Sequence, residues 1–136
     1  MTEEIGFEVH IAQPYETALE RVIAALKEEG FGVLTRIDVK ATFKEKLDVD
    51  FRPYTILGAC NPPLAHRALS QDAIAGLMLP CNVTVEEDLQ GESIVRLANP
   101  EAMLTVGELE SDPILLEVAQ EARARMERVA EALLTP

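Results

Sequence analysis

Two cysteines, two asparagines and a tyrosine are the side chains of this chain whose types and spacing suit them to chemistry. Cys60-Asn61 follows the run YTILGA that begins at Tyr54, and Cys81-Asn82 follows GLMLP. Each pair touches a proline and an apolar run, and no other stretch is as dense in chemically capable residues. Thiols offer redox, nucleophilic or metal-ligating chemistry once deprotonated. Cys60 precedes a predicted helix start, where the positive end of the helix dipole favours thiolate. A redox pair at Cys60 and Cys81 is therefore one reading. Against it, free cysteine is among the most buried residue types and packs as a small apolar side chain. The separation of the two also lacks a C-x-x-C signature.

A metal centre would need further ligands. Two thiolates with the imidazole of His66 would suit zinc, with Asp38 or Glu45 as oxygen donors. His66, however, is expected on the outer face of a helix, where a surface histidine is the simpler account. No role is assigned to His10. Capping and turn hydrogen bonds explain Asn61 and Asn82 beside prolines without any ligand. Their repetition points further: paired amides at adjoining strand ends can line a small polar pocket, with Tyr54, Lys40 and Lys44 on its rim. The expected ligand-binding set is thus Cys60, Asn61, Cys81, Asn82, Tyr54, Lys40 and Lys44, with no catalytic residue assigned. No nucleophile elbow, phosphate loop or dinucleotide fingerprint occurs, and no cofactor is expected.

These residues need a scaffold that brings two distant strand ends together. Ile5, Phe7, Val9 and Ile11 alternate with polar residues as in a half-buried strand. Pro14 suits the first turn of a helix whose inner face is Leu19, Val22, Ile23 and Leu26, and Gly30 closes it with Phe31 available to pack back. Val33, Thr35, Ile37 and Val39 read as one face of a second strand. Asp38 caps a short helix carrying Val39, Phe43 and Leu47 inward. The third strand runs from Tyr54 to Cys60, and Gly58 within it signals a bulge or the close approach of another backbone. Asn61-Pro62 opens a helix burying Leu64, Ala65, Ala68 and Leu69. Cys81, Val83 and Val85 make a fourth strand, which pairs as a hairpin with Ser93 to Ala98. Asn99-Pro100 opens a short helical turn. Asp112-Pro113 starts a last helix whose seam is Leu115, Ala119, Ala122, Met126, Val129 and Leu133. That seam suits a helix lying on its own sheet, or one that also packs on a second subunit. The order β-α-β-β-α-β-β-α, short helices aside, predicts an α+β fold with a largely antiparallel sheet and helices on one face.

Composition narrows the function. At 136 residues and 48% apolar the chain is expected to form one domain over 1–136 with its own core. No apolar run suffices for a membrane span, and the acidic start is unlike a signal peptide, so the expectation is a soluble cytoplasmic protein with free thiols. A net charge of −12 disfavours nucleic acid and anionic membrane as partners. Between Arg36 and Arg67, six basic residues face four acidic ones, so this segment is locally +2. It is either a mixed solvated surface or a rim that attracts anions.

The segments GFGVLTRID (30–38), YTILGACNP (54–62) and GLMLPCNVTV (76–85) resemble the family named domain of unknown function 302. The resemblance covers nearly the whole chain. It implies a compact α+β fold of TATA-binding-protein-like arrangement and commonly a homodimer, and it implies no activity. Three functions stay open. The first is a homodimeric small-ligand or metal-binding module near the Cys-Asn pairs. The second is a thiol-redox enzyme using Cys60 and Cys81. The third is a structural partner protein whose long helix carries the interface.

Overall fold

The periodicities resolve into strands β1 (Gly6–Ile11), β2 (Gly32–Asp38), β3 (Tyr54–Cys60), β4 (Cys81–Glu87) and β5 (Ser93–Ala98). The helices are α1 (Tyr15–Glu28), α2 (Val39–Leu47), α3 (Pro62–Gln71), α4 (Pro100–Met103) and α5 (Pro113–Leu134), with 3-10 segments at Ala73–Met78 and Gly107–Ser111. The computed structural model describes residues 4–135. The reading of the acidic start at residues 1–3 therefore lies outside the described residues. The strands form one sheet in the order β1-β5-β4-β3-β2, and every neighbouring pair is antiparallel.

One face of the sheet is covered. Val9, Ile11, Leu57, Val83, Val85, Val95 and Leu97 are buried there beneath Leu19, Val22 and Leu26 of α1 and Met126, Val129 and Leu133 of α5. The first half of α5 leaves the sheet and packs instead with α3, α4 and the 3-10 segments. Leu64, Ala68, Leu104, Leu109, Leu115, Val118 and Ala119 form that second cluster. All six seam residues of α5 are buried within the chain. The seam is therefore spent inside the molecule, while Ile114, Leu116 and Leu134 of the same helix are exposed. No described helix is long and apolar enough to cross a membrane.

Local signals act where the sequence puts them. The C-terminus of α1 closes as a Schellman motif: Gly30 N–H donates to Lys27 O at 3.0 Å and Phe31 N–H to Leu26 O at 2.9 Å. Gly30 has φ +83°, which favours glycine, and Phe31 is buried beside it. Asp38 caps α2 by accepting from Ala41 N–H at 2.9 Å, and Asp112 caps α5 through Ile114 and Leu115.

Local expectations fail at three places, in α2, β2 and α3. No residue of α2 is buried, and Leu47 is 64% exposed, because the helix stands at the β2–β3 edge rather than on the sheet. The face read as Val33, Thr35 and Ile37 is split. Val33 pairs with Ala59 while Thr35 pairs with the adjacent Gly58, so Leu34 is an extra residue and the strand switches sides there. The bulge lies in β2, opposite Gly58. A Cβ on Gly58 would stand 2.2 Å from Thr35 Oγ1 and 2.9 Å from Pro80 Cγ, so the crowding comes from side chains and not from another backbone. In α3, Leu64 and Ala68 are buried as expected, but Leu69 is exposed.

Candidate functional site

The two Cys-Asn pairs do meet. In the β3–β4 ladder Ala59 stands opposite Cys81, so the end of one strand adjoins the start of the next. Cys81 shares the helix-covered side with Ala59 and is buried, and Cys60, at the end of β3, is half-buried. Both border a void of about 30 Å³ among Phe31, Leu64, Leu104 and Val118, which has room for about one water and none for an organic ligand. Burial pushes the Cys60 thiol up, against the lowering expected at a helix start. Burial, and then the neighbouring Cys60, push Cys81 up to about 11. Both groups are therefore neutral free thiols near neutral pH.

The two asparagines have unlike surroundings. Asn61 is 8% exposed and joins two helix ends. Its Oδ1 accepts from Leu64 N–H at 3.3 Å, capping α3, and its Nδ2 donates to Glu29 O at 3.4 Å beyond α1. Arg125 donates to the same carbonyl at 3.1 Å. These bonds account for Asn61 without a ligand. Asn82 is exposed on the side of the sheet that the helices leave open, and no hydrogen bond holds its amide among the described residues.

The other expected residues lie apart from this locus. His66 is exposed on α3. Among the described residues no group of three or more His, Cys, Asp or Glu is placed to hold a metal, so Cys60, Cys81 and His66 do not make a zinc set, nor do Asp38 or Glu45 complete one. Lys40 and Lys44 border a separate groove with Asp38, Asp50 and Phe51. There Lys40 donates to Phe51 O at 2.8 Å, and Lys44 pairs with Asp48 at 2.9 Å and Asp50 at 3.6 Å. The basic segment is largely neutralised by its own neighbours.

Tyr54 and Asn82 belong together, on the open face. Cross-strand register lines that face with three rows: Tyr54, Glu86, Ile94 and His10; then Ile56, Thr84, Arg96 and Glu8; then Gly58 and Asn82, with Ala98 and Gly6 beyond. The segment Leu77–Pro80 rises beside the third row. Together they enclose a cleft of about 560 Å³ that Tyr54, Asn82, Thr84, Arg96, Met78 and Met103 border. A chain of ion pairs crosses it. Arg96 bonds Glu8 at 2.8 Å and Glu86 at 3.4 Å, and Arg52 bonds Glu86 at 3.2 Å. The hydrogen bond from His10, and next that from Arg96, hold the Glu8 carboxyl below its usual range. Burial works against the charge of Arg96, yet Glu8 and Glu86 outweigh it and hold the guanidinium up. Thr84 Oγ1 is buried with no hydrogen-bond partner among the described residues.

Thr84, Arg96, Glu8, Glu86, Met78 and Met103 were missed by sequence reasoning. The available signal was the polar half of the β4 alternation, Asn82, Thr84 and Glu86, which reads as ordinary solvent-facing surface until the neighbouring strands are known.

Comparison with known proteins follows the same outline. No curated protein matches the chain. A crystal structure of an uncharacterized conserved protein DUF302 from Bacillus stearothermophilus superposes with a TM-score of 0.83 at 29% sequence identity, over 96% of this chain and 98% of that one. The model of the family described as Domain of unknown function DUF302 matches residues 7–133, from β1 to the last turn of α5. The chain therefore belongs to the DUF302 family.

Proposed function

We propose that this protein is a non-enzymatic, cytoplasmic, homodimeric module that binds a small molecule on the open face of its sheet. The observation that carries this reading is the cleft of about 560 Å³ in which Tyr54 and Asn82 present hydrogen-bonding groups with no partner among the described residues. A few polar groups converging in a cleft bordered by apolar side chains are the usual make-up of a ligand site. The locus is thus shifted from Cys60, beside which only the small void lies, to Asn82 and Tyr54, with Cys81 bordering both the void and the cleft. A TATA-binding-protein-like arrangement belongs to this reading as a likeness of shape, and the net charge of −12 argues against DNA in the cleft.

The homodimer rests on the β2–α2 edge. Leu34, Ile37, Leu47 and Val49 are exposed there, and Ile37 and Phe43 border one apolar groove with Ile56 and Tyr54. A second copy covering this edge would also wall one side of the cleft. A thiol-redox role is the weaker alternative, since the strand ends adjoin but both thiols are held protonated.

Methyl-labelled methionine tests the ligand reading directly. In a screen of small fragments, hits should shift the Met78 and Met103 signals and leave Met126, buried in the core, unmoved. Absence of any such hit rejects the cleft as a ligand site.

A further inference from the structure

We propose that the cleft takes an uncharged, mainly apolar molecule with one hydrogen-bonding head group, and that it discriminates against ions of the same size. This rests on the open face being a ligand site and specifies what that site recognises. The head group is assigned to the rows that flank Thr84. Thr84 Oγ1 itself is buried and unpartnered, out of reach of a ligand as of water, so the groups beside it carry the recognition. The Asn82 amide and the Tyr54 hydroxyl stand in the flanking rows of the same face, also without hydrogen bonds among the described residues.

Charge is already balanced on this face. Arg96 lies between Glu8 and Glu86, and Arg52 completes the pairing of Glu86. A carboxylate or ammonium entering the cleft would lose hydration and find no unmatched counter-charge, and a chain of net charge −12 adds repulsion for anions. The apolar body has a defined place. Leu77, Met78, Leu79, Pro80 and Met103 form one wall and Ile5 another. Ile5 and Leu77 are 77% and 79% exposed, two apolar side chains held in water at the mouth. Gly6 and Ala98, both small, leave depth beneath them. Methionine adapts its shape to different apolar partners, which suits a wall of this kind.

Three probes with one apolar body separate the outcomes: cyclohexanecarboxamide, cyclohexanecarboxylate and cyclohexylammonium, each titrated into isotope-labelled protein and followed by NMR. The carboxamide should shift Thr84, Asn82, Met78 and Met103 and bind about tenfold or more tightly than either ion. Tyr54→Phe should weaken the carboxamide about three- to tenfold, because it removes the hydroxyl of a residue that borders the cleft and keeps the shape. Asn82→Ala, at an exposed position, gives a second loss of affinity without a change in folding. Equal or tighter binding of an ion in the cleft overturns the inference and leaves the ligand site standing. So does a carboxamide affinity indifferent to both substitutions. No shift in the cleft with any probe overturns the inference and the site together.

Discussion

Asn61 and Asn82 follow identical cysteines and do different work. The first is tied to Leu64 and Glu29, so Asn61→Ala should cost about 1–2 kcal/mol, the usual loss for a helix cap. Asn82→Ala should change stability by less than about 0.5 kcal/mol, as expected for a surface position without partners. Urea titrations of the two variants check the pair, and equal losses would contradict the assignment. Cys81 carries a pH signature. Its folded-state value is raised from 9.0 to about 11. The stability due to the neutral buried thiol is therefore complete below about pH 9, and it is lost as pH rises through about 11. The loss has a slope of roughly 1.4 kcal/mol per pH unit and a total of about 2–3 kcal/mol. Burial raises Tyr15 as well, so the comparison is made with Cys81→Ala, which retains that tyrosine. The slope between those two pH values should flatten in the variant; an unchanged slope would mean that Cys81 ionises equally in both states.

At the scale of elements, β2 and α2 are the loosest part and β4 the tightest. No residue of α2 is buried, whereas Cys81, Val83, Val85 and Glu86 of β4 all are. Amide exchange should accordingly be fastest in α2 and slowest in β4 and the C-terminal half of α5, because local opening of α2 exposes little apolar surface. Similar protection in α2 and β4 would contradict this order. The packing of β3 on β2 depends on Gly58. Gly58→Ala should cost about 1–3 kcal/mol through overpacking, and Thr35→Ala in the same chain should recover part of it, since Thr35 Oγ1 is the nearest atom at 2.2 Å. A double-mutant cycle measures that coupling. The short helix and its bulged strand are also where sequence periodicity misled. Val39, Phe43 and Leu47 recur at the right spacing for a buried face, but spacing does not say whether a sheet lies beneath the helix or ends beside it.

For the whole molecule, the proposed dimer must overcome the repulsion of two chains at −12 each. β2 and α2 carry Arg36, Lys40, Lys44 and Lys46 against Asp38 and Glu45, so their edge is where copies can approach with the least repulsion. Self-association should therefore tighten as sodium chloride rises from about 20 to 150 mM, as the Debye length shrinks from roughly 20 to 8 Å. Ile37→Glu should leave a monomer at the same concentrations. Sedimentation velocity reads both effects, and a monomer at every salt concentration would reject the dimer while leaving the ligand reading to its own test.

The elements, their caps and the α5 seam were legible in the sequence because each depends on residues within a turn or two. Asp38, Asn61, Asn99 and Asp112 all cap the helices they precede, and a hydrogen bond reaching two or three residues along needs no knowledge of the rest of the chain. The antiparallel α+β class followed from the order of those elements, and the adjacency of the two Cys-Asn pairs from strand ends that had to adjoin. Tertiary structure alone decided which side of each strand the helices would cover, where β2 would slip by one residue, and that Lys40 and Lys44 would turn to their own loop. It also assembled the cleft, whose borders come from residues as far apart as Ile5 and Met103. A strand's own alternation marks two faces but not which one is left open, so Thr84 and Arg96 became candidates only once their neighbours were in place.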